Sequence, residues 1–221
     1  MQICFVRHAQ PVPEINVDRV ANPGLSELGV WQAERLTDWL ATEPIDHIIS
    51  SPKRRAAQTI QPLADRLGLE VAFESGFSEI DRNSKIYLPP EILFSKNGEY
   101  AQQAQAYVEG IQSGDYANIG WDNPDDFQER VLGTFKQLCE TQPGQHIVVA
   151  CHGGVISRIL SELVTAKERL MLRVFYTGIC RVWADDDKRF LMTFNEIGHC
   201  CASRDEVTGP MRDGQVMELS Y

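Results

Sequence analysis

Two short apolar runs, each closed by a histidine, constrain this chain more than any other feature. The first is Ile3-Cys4-Phe5-Val6, followed by Arg7-His8; the second is Ile147-Val148-Val149-Ala150-Cys151, followed by His152-Gly153-Gly154. Continuous apolar runs of this length read as strands buried on both faces, which occur in parallel sheets covered by helices on either side. In open sheets of that kind ligands bind beyond the carboxyl ends of the strands, where both histidines fall. An arginine beside the first suits an anion. The second histidine opens a Gly-rich turn into a helix, whose free N–H groups and dipole favour the same charge.

The rest of the chain alternates strand and helix, the pattern of βαβ crossovers. Ser26 is a cap for a helix reaching about Ala41, with Leu28, Trp31, Leu36, Trp39 and Leu40 at its apolar positions. His47–Ser50 reads as a strand. Ser51-Pro52 reads as an N-cap and first-turn proline for a helix whose buried stripe is Ala56, Ile60, Leu63 and Leu67 and whose end is Gly68. Val71–Phe73 is a third strand. Asn123-Pro124 starts a helix carrying Phe127, Val131, Phe135 and Leu138 up to Pro143-Gly144. A helix with Ile156, Ile159, Leu160 and Leu163 follows His152, and two β-rich stretches, 173–183 and 189–195, finish the sheet. Residues 81–122 break the alternation with Pro89-Pro90 and scattered glycines and aromatics. The expected architecture is an α/β three-layer sandwich: a mostly parallel central sheet with helices on both faces and a small helical cap inserted at 81–122. At 221 residues this makes one domain, 1–221.

A net charge of −10 argues against nucleic acid and anionic membranes as partners. No apolar run approaches the roughly 18 residues of a membrane span, and Met1 leads straight into a strand, so the expectation is a cytoplasmic protein. The sequence allows a homodimer. The six cysteines include no CxxC and read as reduced, buried thiols. His199-Cys200-Cys201 with Cys151-His152 fits no standard zinc spacing, so no metal and no cofactor are expected.

If the sheet forms in this way, Arg7, His8, Arg55, Glu79 and His152 converge. Two arginines and two histidines around one crevice make a pocket for a tetrahedral dianion, since guanidinium forks match phosphate oxygens. A neutral imidazole is a competent nucleophile, and surrounding cations keep it neutral. A carboxylic acid such as Glu79, with Asp81 as its substitute, protonates a leaving oxygen. Taken singly, each residue has a plainer reading: a structural histidine, a surface cation such as Arg54, a solvated loop glutamate.

Arg7-His8-Ala9, Ser51-Pro52-Lys53-Arg54-Arg55-Ala56-Ala57-Gln58-Thr59, Phe77-Ser78-Glu79-Ile80 and Cys151-His152-Gly153-Gly154 occur in that order. Together they resemble the histidine phosphatase superfamily, which includes cofactor-independent phosphatases and phosphoglycerate mutases. The resemblance covers about residues 1–80 and 123–200. It implies a phosphomonoester hydrolase in which His8 becomes a phosphohistidine. Arg7, Arg55 and His152 would bind the phosphoryl oxygens, and Glu79 would protonate the leaving group of a small phosphorylated metabolite. Mutase-type transfer is the first alternative, and a non-catalytic phospho-ligand-binding module the second. The family's usual threonine and asparagine after the nucleophile are replaced by Pro11 and Glu14, and Lys53 stands where an apolar residue is commoner.

Tyr87, Phe94, Tyr100, Tyr107 and Trp121 read as the cap's own core, with a subset open to lining the entrance. Between Lys96 and Arg130 there is no Lys or Arg, while Glu99, Glu109, Asp115, Asp122, Asp125, Asp126 and Glu129 all occur. Such a surface repels substrates carrying extra anionic groups.

Overall fold

A computed structural model describes residues 1–93, 98–141, 145–164, 172–185 and 188–200. In chain order its elements are β1 (Gln2–Arg7), β2 (Glu14–Ile15), α1 (Glu27–Leu40), β3 (His47–Ser50), α2 (Arg54–Leu67), β4 (Val71–Phe73) and β5 (Ile86–Tyr87). They continue with α3 (Pro90–Leu93), α4 (Ala101–Ser113), α5 (Pro124–Thr141), β6 (His146–Cys151), α6 (Gly153–Val164), β7 (Ile179–Asp185) and β8 (Lys188–Glu196).

Six strands form one sheet in the order β4-β3-β6-β1-β7-β8. The first four are parallel, and β7 and β8 close the sheet antiparallel. Alternation along β1 sorts its side chains onto two cores. Ile3 and Phe5, with Ile147 and Val149 of β6, pack on Phe127, Val131 and Phe135 of α5 and Ile156 and Ile159 of α6. Cys4 and Val6, with Val148 and Ala150, pack on Leu36 and Leu40 of α1 and Ile60 and Leu63 of α2. This mixed α/β sandwich is the expected one, and each fully buried Leu or Ile contributes about 1.5–3 kcal/mol to it.

Local signals place most boundaries. Ser26 caps α1 by accepting the Gly29 N–H at 3.0 Å, and Gly68 ends α2 with φ of 68°, the left-handed conformation glycine adopts without strain. Four expectations need correction. α2 starts at Arg54, with Lys53 at the cap position and no side-chain cap, so Ser51 and Pro52 precede the helix. Trp39 is on the exposed side of α1, whose inner face also carries Gln32 and Thr37. These buried polar groups are bonded, Gln32 accepting from Gln10 N and Thr37 donating to Ala33 O. The 173–183 stretch becomes a strand only at Ile179, because Thr177 turns the chain with φ of 54°. The 81–122 segment is not wholly helical: β5 pairs antiparallel with β2, tying it to the loop after β1.

Phe94, Lys96, Pro143-Gly144, Cys201 and the tail from 203 lie outside the described residues. Among those described, no helix is long and apolar enough to cross a membrane.

Candidate active site

Strand register brings the two histidines together. β1 and β6 are parallel neighbours with Arg7 opposite Cys151, so the next residue on each, His8 and His152, leaves the sheet side by side. The His8 N–H donates to Cys151 O at 2.9 Å, and the imidazole centres are 5.2 Å apart. β3 runs alongside in register, Ser50 opposite Ala150, which delivers Ser51 to the same edge. His152 Nε2 and Ser51 Oγ are 2.8 Å apart and hydrogen-bonded.

His8 Nδ1 lies 2.8 Å from the carbonyl oxygen of Ala9. A carbonyl only accepts, so the proton sits on Nδ1 and Nε2 keeps its lone pair. Burial, then Arg55 and Arg7, hold His8 well below the ordinary histidine value. Burial, Arg55, His8, Lys53 and Arg7 do the same to His152. Both rings are therefore neutral at pH 7.

Arg55 enters from the first turn of α2 and is 1% exposed, whereas Arg54 beside it is exposed. Its Nη2 donates to Asp81 at 3.3 and 3.5 Å. Arg7 donates through Nη1 to Val174 O at 2.7 Å. Arg7 Nε, Arg55 Nε and Nη1, and His152 Nδ1 are buried without a hydrogen-bond partner among the described residues. Leaving a buried charged donor unpaired is costly; so many at one strand edge amount to an anion site.

Glu79 follows the turn after β4, and its carboxylate accepts the backbone N–H groups of Ile80 and Gly154, each at 2.9 Å. Burial and the neighbouring Asp81 raise its pKa above the ordinary glutamate value, with those two N–H bonds and Arg55 opposing. The structure thus gathers Arg7, His8, Arg55, Glu79 and His152 around one edge.

The sequence profile of the histidine phosphatase superfamily (branch 1) matches residues 3–197. The chain belongs to this superfamily. Among its relatives in the superfamily, phosphoglycerate mutase-like protein 4 of Arabidopsis thaliana is 24% identical over 219 residues, 96% of this chain and 90% of that protein. Phosphoserine phosphatase 1 of Hydrogenobacter thermophilus is 28% identical over 154 residues, 69% of this chain and 71% of that protein. The crystal structure of phosphoserine phosphatase from Entamoeba histolytica in complex with 3-phosphoglyceric acid superposes with a TM-score of 0.65 at 21% identity. That match covers 90% of this chain and 98% of the other, and shows a shared fold.

Within this member of the superfamily several site residues have no local sequence signal. Tyr176 lies over Arg7 and Tyr87 over Arg55, with the guanidinium carbons 4.1 and 4.3 Å from the ring centres. Tyr87 therefore lines the site, while Tyr107 and Trp121 are edge-to-face in the cap and joined by a 2.8 Å hydrogen bond. Thr59 bridges the nucleophile loop to α2, accepting from Ala9 N at 2.8 Å and donating to Arg55 O at 2.7 Å. Ser51 follows the end of β3 as His8 and His152 follow β1 and β6, a local signal for its position though not for its bond to His152. Lys53 is buried and donates to Arg82 O at 3.0 Å. Pro11 forms a bridge with Leu25, and Glu14 accepts from Asn22 N at 3.0 Å, so neither faces the anion site as an added donor.

His199 bonds Thr177 Oγ1 at 3.0 Å. Cys4, Glu43 and His146 bring three ligand-type atoms within 4.8 Å of one another. The Arg181 guanidinium occupies that cluster, bonding Cys4 Sγ at 3.2 Å and both Glu43 oxygens at 2.7 Å, and burial pushes the Cys4 thiol up to about 12. A cation already sits where a metal would.

Proposed function

We propose that this protein hydrolyses phosphomonoesters of small metabolites through a phosphohistidine on His8. The observation that carries the reading is the set of orphaned donors on Arg7, Arg55 and His152 around a neutral imidazole with an available Nε2. In the first step the Nε2 lone pair forms a bond to phosphorus while the ester P–O bond breaks. Glu79, whose pKa burial and Asp81 raise above the ordinary glutamate value, passes a proton from its acid form to the departing alcohol oxygen. The arginines and His152 Nδ1 hold the phosphoryl oxygens; a Ser51 hydroxyl donating to Nε2 leaves the His152 proton on Nδ1. In the second step the Glu79 carboxylate takes a proton from water as its oxygen attacks phosphorus. The N–P bond breaks, inorganic phosphate leaves, and both residues return to their starting states. Positioning and charge stabilisation supply most of the rate in phosphoryl transfer.

In this reading residues 81–122 cap the site of a single catalytic unit. Cys4, Cys139, Cys151 and Cys180 are free thiols, which supports the reducing cytoplasm as its location. The charge of −10 supports small molecules rather than nucleic acid as partners. Mutase-type transfer is the second reading, favoured by the 3% exposure of His8, which shields a phosphohistidine from water. Turnover of p-nitrophenyl phosphate by wild type and His8→Ala, with trapping of acid-labile phosphoprotein, tests the proposal. Loss of both signals in the variant is expected, and equal rates overturn it. Release of inorganic phosphate from 3-phosphoglycerate, against formation of 2-phosphoglycerate, separates hydrolysis from transfer.

A further inference from the structure

The covering of the anion pocket comes from outside the parallel sheet. Tyr176 and Tyr87 lie over the two arginines, and Glu91, at the start of α3, joins them. Its carboxylate accepts from the Tyr176 hydroxyl at 3.2 and 3.0 Å and from Gln10 Nε2 at 3.2 Å. Gln10 is turned toward it by Ser26, whose hydroxyl donates to Gln10 Oε1 at 2.8 Å. Among the described residues both donors to Glu91 are neutral, so they hold its carboxylate in place without pairing it with a cation. A carboxylate has about four acceptor positions, and among the described residues these two donors leave some open.

Placement makes that charge matter. His8, Arg55 and His152 are 3%, 1% and 0% exposed, so a phosphate bound among them has its alcohol portion against the covering residues. Glu91 is half-buried, where a charge is screened less than on an open surface. Of the acidic residues between 96 and 130, Asp122 is neutralised by Arg82 and Arg130, each at 2.8 Å. Glu91 lies outside that stretch and is in contact with the pocket's own wall.

We propose that Glu91 selects the leaving group, favouring a phosphomonoester whose alcohol portion carries an ammonium over one carrying a carboxylate or second phosphate. An ammonium fills the open acceptor positions of the carboxylate, while an anion there meets a like charge. This rests on the hydrolase reading above.

The test is kcat/KM of the full-length protein for O-phosphoethanolamine, glycerol 2-phosphate and 2-phosphoglycolate, which place a cation, neutral hydroxyls and an anion near the same phosphate. The expected order is the one given, with the first ahead of the last by about tenfold or more, the scale of one charge contact at a partly exposed site. Glu91→Gln should lower that ratio about tenfold, and Glu91→Lys should reverse the order. Equal or faster hydrolysis of phosphoglycolate by wild type, or a ratio unmoved by Glu91→Gln, overturns the inference. A wild type that hydrolyses none of these and no p-nitrophenyl phosphate overturns the hydrolase reading itself. Should Glu91→Lys fail to fold, the wild-type order and Glu91→Gln still decide.

Discussion

Gly154 donates its backbone N–H to Glu79 Oε2 at 2.9 Å, and a Cβ at Gly154 would stand 2.3 Å from the other carboxylate oxygen. The second glycine after His152 is thus what lets the candidate acid rest on the start of α6. A Cβ at Gly153 meets nothing closer than Arg7 Nε at 3.5 Å, an ordinary contact. Gly154→Ala should therefore lower kcat at least about tenfold by displacing Glu79, while Gly153→Ala stays nearer wild type. Steady-state kinetics with p-nitrophenyl phosphate compares the two. Adding Gly154→Ala to Glu79→Gln should cost little more than Glu79→Gln alone, since both act on one group.

Arg55 and Arg54 are adjacent in sequence and opposite in burial. Arg55→Ala removes two of the orphaned donors, its own Nε and Nη1, and leaves Asp81 beside the phosphate without its cation, so kcat/KM should fall about 10³-fold or more. Arg54→Ala, at an exposed position outside the site, should remain within about twofold. Equal effects from the two substitutions would contradict the assignment of Arg55.

Ser51→Ala leaves the Nε2 of fully buried His152 without its partner. The expected cost is about 1–3 kcal/mol of stability, read from urea unfolding, together with lower kcat/KM as the ring loses its fixed tautomer. Unchanged kinetics would show that Ser51 does not orient His152.

Stability should fall as the pH drops below the ordinary histidine value. Burial and nearby arginines hold His8 and His152 neutral in the folded state, and burial brings His199 to about 4. In the unfolded chain each titrates near about 6.5, so below that value the unfolded state binds more protons and stability rises with pH. Each such proton contributes a slope of about 1.4 kcal/mol per pH unit. Glu79 acts the other way: its raised folded value means the native state takes its proton first, recovering part of the loss. Urea midpoints at about pH 7.5, 6.5 and 5.5 should form a plateau followed by a decline. His8→Asn should flatten that decline by one proton, and a wild-type profile level down to about pH 5.5 would contradict the buried neutral imidazoles.

Much of the fold was legible because its signals are local. β1 and β6 are apolar on both faces, α5 carries Phe127, Val131, Phe135 and Leu138 at helical spacing, and Gly68 stops α2 where a left-handed residue is needed. The misreadings have local causes too. Ser51-Pro52 imitates a helix start, but Ser51 is drawn to His152. Trp39 matches the apolar period of α1, yet the face is set by what packs on β1 and β6. The turn at Thr177 interrupts a stretch that composition alone makes a strand.

The sequence by itself determined the layered α/β fold and the arrival of two histidines at strand ends, since periodicity and burial along each segment suffice for both. Tertiary structure alone decided that Tyr176 covers Arg7, that Tyr87 covers Arg55, that Ser51 holds His152, and that Glu91 leans on the anion site. These contacts join residues about 30 to 170 positions apart, and no local pattern records them. They are set by strand register and by how the chain between the strands folds back over their ends.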